Sequence, residues 1–185
     1  LVNKKNVLVL TGSPRKNGNS DRMAEAFIRG AVSAGHEVIK FETAARKIGG
    51  CKGCQKCWSK DQPCVHRDDF DQLAPLLEGA DVLAFCTPLY WFTFSAPIKA
   101  AIERIYAYLR DNRHRSLKIK KSYLFVCGAD SQLKIFDGII ATYREIVSYL
   151  KWTDRGILAV PRVSEVGDID QTDALVQAEE LGKAV

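Results

Sequence analysis

Three short stretches of this chain are almost wholly apolar: "NVLVLT" at 6–11, "DVLAFCTP" at 81–88 and "SYLFVC" at 122–127. Each is four to eight residues long and is bounded by turn-forming residues, which is the pattern of a strand buried on both faces. A strand with no polar face must be covered on both sides, and that happens mainly in parallel sheets flanked by helices. Two weaker runs complete the set. "EVIKFET" (37–43) alternates and predicts a more exposed strand near an edge, and "RGILAVPRV" (155–163) predicts a fifth strand.

Helical patterns separate these runs. From about Ser20 a stripe of Met23, Phe27, Ile28, Ala31 and Val32 precedes Gly35, which is expected to end the helix. Phe70, Leu73, Leu76 and Leu77 define a second helix, with Asp68 or Asp69 as its cap and Pro75 shortening or kinking it. Ile98, Ile102, Ile105 and Leu109 mark a helix over 95–109, and Ile139, Tyr143, Ile146 and Leu150 mark another over 135–151. A terminal helix is expected from 168 onward. Strand and helix alternate throughout, so the expectation is one α/β domain over residues 1–185, with a cysteine-rich insertion at about 49–67.

Length and composition exclude several classes. The chain has 185 residues, 46% hydrophobic and 26% charged, which suits an ordinary folded domain with one sizeable core. No apolar run approaches a membrane span. The net charge of +5 permits an acidic ligand, but no aromatic–basic signature of nucleic-acid binding accompanies it. The start lacks a secretory signal pattern, so the expected compartment is the reducing cytoplasm. The segment "RDNRHRSLKIKK" (110–121) is strongly basic; it reads first as a solvated connection, and second as a docking surface for an acidic partner or for phosphates.

In parallel α/β sheets, ligands bind beyond the carboxyl ends of the strands. The loop after the first strand, "TGSPRKNGNS", is rich in Gly, Ser and Asn and opens a helix, where backbone amides and the helix dipole favour an anion. Ser13, Asn19 and Ser20, with the charge of Arg15 or Lys16, are its candidate phosphate ligands. It is neither a Walker A loop nor G-x-G-x-x-G. The loop after the third strand, "TPLYWFTFSAP", places aromatics where a ligand mouth is expected, a platform for a flat ring. Gly128, after the fourth strand, permits close backbone approach. A phosphate cradle beside a ring platform describes a mononucleotide with a planar head, and FMN fits better than ATP because no metal-binding acid or lysine motif is present.

Four cysteines, Cys51, Cys54, Cys57 and Cys64, fall within fourteen residues. Their spacing suits a [4Fe–4S] cluster, a zinc site, or metal-free thiols with a reversible disulfide. Lys52, Lys56 and Lys60 interleave them and would offset thiolate charge in any of the three. Cys86 and Cys127 lie in buried strands and read as small core residues.

Together, "GSPRKNGNS", the C-x2-C-x2-C-x6-C run and "TPLYWFTFSAPIKAAIER" resemble the flavodoxin-like NAD(P)H-dependent FMN reductase family, and within it the iron–sulfur flavoproteins. The resemblance spans residues 6–110 by motif. It implies a flavodoxin-like three-layer sandwich with a five-stranded parallel sheet of order 2-1-3-4-5 and non-covalent FMN. Pro88, Leu89, Tyr90, Trp91 and Phe92 would line the flavin ring. Many relatives have a small residue where this chain has Trp91 or Phe92, so the ring pocket departs from the family pattern there. The implied function is electron transfer from NAD(P)H to a quinone, a flavin or a protein acceptor, with the cysteines as an electron port beside the flavin, in a homodimer or homotetramer. A non-enzymatic flavodoxin-like carrier and a redox-sensing interaction protein are the alternatives.

Overall fold

The computed structural model describes residues 3–58, 62–109 and 115–185. Lys60 and the 110–114 part of the basic segment lie outside these. Five parallel strands form one sheet: β1 (Asn6–Thr11), β2 (Glu37–Glu42), β3 (Val82–Pro88), β4 (Lys121–Cys127) and β5 (Thr153–Val160). Their order is β2-β1-β3-β4-β5, so the strand expected near an edge is the edge. The order reverses direction between β1 and β3, and this opens a crevice at their carboxyl ends.

The two-residue period of the strands divides the core into two layers. Leu8, Leu10, Leu83, Phe85, Leu124 and Val126 face α2 (Phe70–Gly79), α3 (Ala96–Arg104) and α4 (Asp137–Tyr149). Val7, Val9, Ala84, Cys86, Tyr123 and Phe125 face α1 (Asn19–Ser33) and α5 (Ala174–Lys183). A continuous apolar run is therefore two interleaved faces, each with its own helices. α1 and α5 touch through glycine: a Cβ on Gly30 would stand 2.0 Å from the Glu179 carbonyl oxygen, and one on Gly182 would stand 2.2 Å from that of Phe27.

Several element ends differ from the sequence expectation. The helix expected over 95–109 is α-helical only to Arg104 and then tightens into a 3-10 turn, Ile105–Tyr108. Here Arg104 and Tyr106 are both engaged by the cysteine loop, as described below. Val32 is exposed, because the buried stripe of α1 runs through Met23, Phe27 and Ala31 and leaves Val32 on the far side. On α4 the buried face is Ile139, Tyr143 and Val147, with Ile146 and Leu150 at its margin. β5 runs over 153–160, earlier than 155–163, and the terminal helix begins only at Ala174, after a 3-10 turn at Asp168–Gln171. Pro75 sits inside α2 without ending it. Asp69 occupies the cap position, but the side chain that receives the Phe70 amide belongs to Asp68, at 2.9 Å.

Candidate functional site

At the carboxyl ends of the strands lies a cleft of about 160 Å³. Its first wall is the β1–α1 loop. Thr11 ends β1, and Gly12 follows where a Cβ would stand only 2.5 Å from the Ser95 hydroxyl and 2.9 Å from Ile98. The absent side chain lets the loop fold down against the start of α3, where Ser95 Oγ donates to the Gly12 carbonyl at 2.7 Å. Ser13 Oγ accepts the Arg15 amide at 3.1 Å, and Gly18 N–H closes a turn on the Arg15 carbonyl at 3.2 Å.

α1 then starts with no side chain capping it: Gly18 stands at the cap position and makes no side-chain bond. The first-turn amides of a helix have no intrahelical acceptor, and with the dipole they form a site for an anion. The Ser20 hydroxyl lies in the same wall, in a residue 2% exposed, and makes no hydrogen bond among the described residues. These uncommitted donors fit a phosphate group.

Not every predicted phosphate residue points at the ligand space. Asn19 lines the cleft, but its side-chain amide donates to the Glu165 carbonyl at 2.7 Å and its oxygen accepts the Gly167 amide at 3.0 Å. Arg15 lines the cleft and donates to the Ser164 carbonyl at 2.9 Å. Both side chains thus brace the loop after β5 against the β1–α1 loop. Asp168 completes that loop by accepting the Ser164 and Glu165 amides, bonds that hold its carboxyl below the usual range.

The second wall comes from β3 and β4. Pro88, Leu89, Tyr90 and Gly128 line it, with Cys127 and Ala129. Burial pushes the Cys127 thiol up to about 12, so it is an uncharged packing group at neutral pH. Gly128 packs against Leu89, whose Cβ would lie 3.3 Å from an added methyl. Among the described residues no carboxylate or imidazole lines the cleft. The reading from sequence missed the loop after β5, which brings Val163 and Ser164. Its signal is topological: α5 packs on α1, so the chain from edge strand β5 must cross back over the strand tips.

Trp91 and Phe92 do not line the cleft. They form the centre of a tight turn closed by mutual hydrogen bonds of Tyr90 and Thr93, at 3.2 and 3.1 Å. Both are left-handed, with φ of +47° and +65°, a conformation that hairpin turns reserve for Gly and Asn. Trp91 is 91% exposed and Phe92 59%. The turn is held from below, since the Phe92 carbonyl lies 2.9 Å from where a Cβ of Gly138 would be. Two bulky aromatics are therefore presented to solvent at the rim of the cleft, in a backbone that disfavours them.

The cysteine loop sits elsewhere. Cys51, Cys54, Cys57 and Cys64 line one small recess with His66, Arg104 and Tyr106. The recess shares no lining residue with the cleft, and α3 separates them: Ser95 at its start belongs to the cleft's support, and Glu103 and Arg104 at its end hold the cysteine loop. That is about 12 Å along the helix axis. Glu103 accepts the Cys51 amide at 3.1 Å. Arg104, 4% exposed, donates to the carbonyls of Gly49 and His66 at 2.9 and 3.0 Å and to Asp68 at 2.9 Å, and lies over the Phe70 ring. Trp58 packs on Tyr106, with ring centroids 4.8 Å apart.

Within the loop, the Gly53 amide points at Cys51 Sγ (3.4 Å), the His66 amide at Cys64 Sγ (3.5 Å), and His66 Nε2 lies 3.7 Å from Cys54 Sγ. Burial first, and then the neighbouring thiols Cys64, Cys51 and Cys54, push the Cys57 thiol up. The donor set thus has the chemistry of a thiolate-ligated centre. The positions are more open than ligation needs: among the described residues no three His, Cys, Asp or Glu side chains form a group able to hold a metal ion.

Comparison with known proteins follows these features. The family described as NADPH-dependent FMN reductase matches residues 5–135. An iron–sulfur flavoprotein of Archaeoglobus fulgidus is 37% identical over 99 residues, 54% of this chain and 44% of that protein. A Bacillus subtilis protein provisionally named as the NAD(P)H-dependent FMN-containing oxidoreductase YwqN is 28% identical over 135 residues, 68% of this chain and 67% of its own. The chain spans about half the length of the iron–sulfur flavoproteins it matches. Among solved structures, an NAD(P)H:quinone oxidoreductase of Methanothermobacter marburgensis superposes with a TM-score of 0.76 at 18% identity, over 97% of this chain and 96% of that one, a likeness of fold.

Proposed function

This chain belongs to the family of NADPH-dependent FMN reductases, and from that membership we propose that its cleft holds FMN and that it passes electrons from NAD(P)H to a quinone, flavin or protein acceptor. The observation that carries the reading is the uncapped start of α1 facing the Ser13 and Ser20 hydroxyls, across the cleft from Pro88, Leu89 and Tyr90. Bound FMN would supply the two-electron exchange with NAD(P)H.

The residues bind and orient. Ser13, Ser20 and the first-turn amides of α1 take the phosphate. Arg15 adds positive charge and, with Asn19, fixes the loop that carries Ser164. Pro88, Leu89, Tyr90 and the close backbone at Gly128 form the wall for the ring. Cys127 stays protonated and keeps thiol chemistry out of the cleft. Among the described residues the lining offers no carboxylate or imidazole as a general base. Trp91 and Phe92 offer the acceptor a flat apolar platform at the open side. The absence of acidic bias, with a net charge of +5, favours the enzyme over an acidic-type carrier.

The relatives' names and the gathering of four thiols in one recess support a finer reading in which Cys51, Cys54, Cys57 and Cys64 carry a [4Fe–4S] cluster. Because the sulfurs are not in ligating positions, no electron step is assigned through it. Anaerobic purification tests both parts. A flavin spectrum that bleaches on mixing with NADH or NADPH is expected, and flavin unreduced by either would leave the carrier. Iron and sulfide near four per chain, with absorbance near 400 nm, would establish the cluster. Flavin with colourless thiols would remove it.

A further inference from the structure

At the end of the sheet opposite the cleft lies a second recess, of about 260 Å³. Strands of six or seven residues put it roughly 20 Å from the flavin site. Five lysines line it: Lys4 and Lys5, which lead into β1, and Lys118, Lys120 and Lys121, which lead into β4. The register explains why two distant segments meet. β3 lies between β1 and β4, pairing Val82 with both Val7 and Lys121, so the lysines before those strands flank the start of β3. The described half of the basic 110–121 segment therefore delivers three ammonium groups to one place. Arg115, in the same segment, is turned away and paired with Glu78 at 2.7 Å.

The recess has little countercharge of its own. Among the described residues Asp81 is its one lining carboxylate, and that group accepts the Asn6 amide at 2.9 Å. Lys4 reaches out to Glu37, in a pair more than half exposed. Lys5 and Lys121 both donate to a main-chain oxygen of Val185. Lys118 and Lys120 have no acidic partner among the described residues. Lys5 beside Lys121, followed by partial burial and the charge of Arg155, pushes Lys121 down to about 8. The same two lysines, after burial, push His36 down. Five ammonium groups drawn together around one lining carboxylate mark a place where a further anion would be favoured.

We propose that this recess is a binding site for a small oligophosphate. Lysines are compact point charges that suit phosphate oxygens, and among the described residues no arginine lines the recess to offer a fork for planar carboxylates. Among the described residues no aromatic side chain lines the recess to stack a base, and its size suits a short phosphate chain better than a whole nucleotide. Several separated cations favour a ligand with several anionic centres over a single phosphate. The phosphates come either from a free oligophosphate or from the diphosphate end of a nucleotide lying with its base in solvent.

Calorimetric titration of the FMN-loaded protein with sodium pyrophosphate in 150 mM KCl tests this; loading with FMN keeps the probe out of the phosphate cradle. The expected result is one saturable site per chain, weakened at least about tenfold in the Lys118→Ala/Lys120→Ala double variant. Flavin absorbance and melting temperature check that this variant is folded. Lys47→Ala/Lys134→Ala removes the same charge toward the other end of the sheet and should leave binding unchanged. ADP binding as tightly as pyrophosphate assigns the nucleotide source, and weaker ADP assigns the free oligophosphate. No saturable binding at millimolar pyrophosphate, equal loss in the two double variants, or sulfate binding as well as pyrophosphate would overturn the site.

Discussion

Replacing Arg104 by methionine isolates what fixes the cysteine loop to the fold. The guanidinium is 3% exposed and makes its bonds to Asp68 and to the Gly49 and His66 carbonyls in one plane over Phe70. Methionine fills most of the volume but strands the Asp68 carboxylate, which keeps only the Gly49 and Phe70 amides at 3.1 and 2.9 Å. Breaking a buried pair from one side costs about 3–5 kcal/mol. For a domain of this length that is a fall of about 6–20 °C in melting temperature, at roughly 2–4 °C per kcal/mol. It falls within the roughly 5–15 kcal/mol of a typical domain, so the variant folds at 25 °C. Urea unfolding measures the loss, and alkylation of the buried Cys64 measures release of the loop. The Asp68→Asn variant and the double variant close a cycle, with a coupling of about 1–3 kcal/mol expected. The pH dependence has a definite sign. Burial acts to raise Asp68, but the Phe70 and Gly49 amides and Arg104 outweigh it and its carboxyl is lowered. A lowered carboxyl stabilises the fold above its ordinary range, and that contribution is lost as pH falls through the depressed value, below about pH 4. Without Arg104 the depression shrinks, so the urea midpoint drops less between pH 5 and pH 3 than in the parent. A loss under about 1 kcal/mol with Cys64 still protected, or additive single effects, would refute the clasp.

Ser20→Ala removes a hydroxyl with no other partner among the described residues, so FMN affinity should fall about tenfold or more with little change in melting temperature; fluorescence titration of apoprotein reads it. Trp91→Gly relieves a left-handed φ of +47° at a residue with almost no packing to lose, and should raise stability by about 0.5–1 kcal/mol while raising the KM for a planar quinone. A destabilised protein, or an unchanged KM, would show that the turn is not a platform held under strain. Gly30→Ala drives a methyl to within 2.0 Å of the Glu179 carbonyl, so α1 and α5 must part; a loss of several kcal/mol in urea is expected, and a neutral result would mean the helices slide freely.

The strands were legible because their chemistry is local. A run such as Val7-Leu8-Val9-Leu10 can be buried only from both sides, and the structure divides it between two helical layers. The strand order entered through family resemblance; nothing in the patterns distinguishes it. Element ends were less legible where tertiary contacts set them. Leu109 carries the right spacing for a long α3, but the helix gives way after Arg104, where that side chain and Tyr106 turn to the cysteine loop. In the cleft, residue type was readable and direction was not. Asn19 has the chemistry of a phosphate ligand, yet its amide is committed to Glu165 and Gly167, residues nearly 150 positions away. The left-handed turn at Trp91 and Phe92 had no signal at all, since the residues there are the ones such turns avoid.

The placement of the cysteine loop bears on how it can serve the flavin. α3 is a strut between the two sites. Its first turn seals the tips of β1 and β3 through Ser95 and Gly12, and its last turn clasps the loop through Glu103 and Arg104. Within one chain the recess and the cleft therefore sit at opposite ends of a rigid helix, about 12 Å apart along its axis. The loop itself is exposed at Cys51 and Cys54, as are the rim aromatics Trp91 and Phe92. Both features open to solvent and neither is covered by the other. On the proposed reading, a redox partner for the thiols would meet them at Cys51 and Cys54, and the acceptor for the flavin would meet it at the rim. Substitutions that disturb only the loop, Arg104→Met among them, should accordingly alter thiol reactivity before they alter FMN affinity, and the reverse order would place the loop against the flavin.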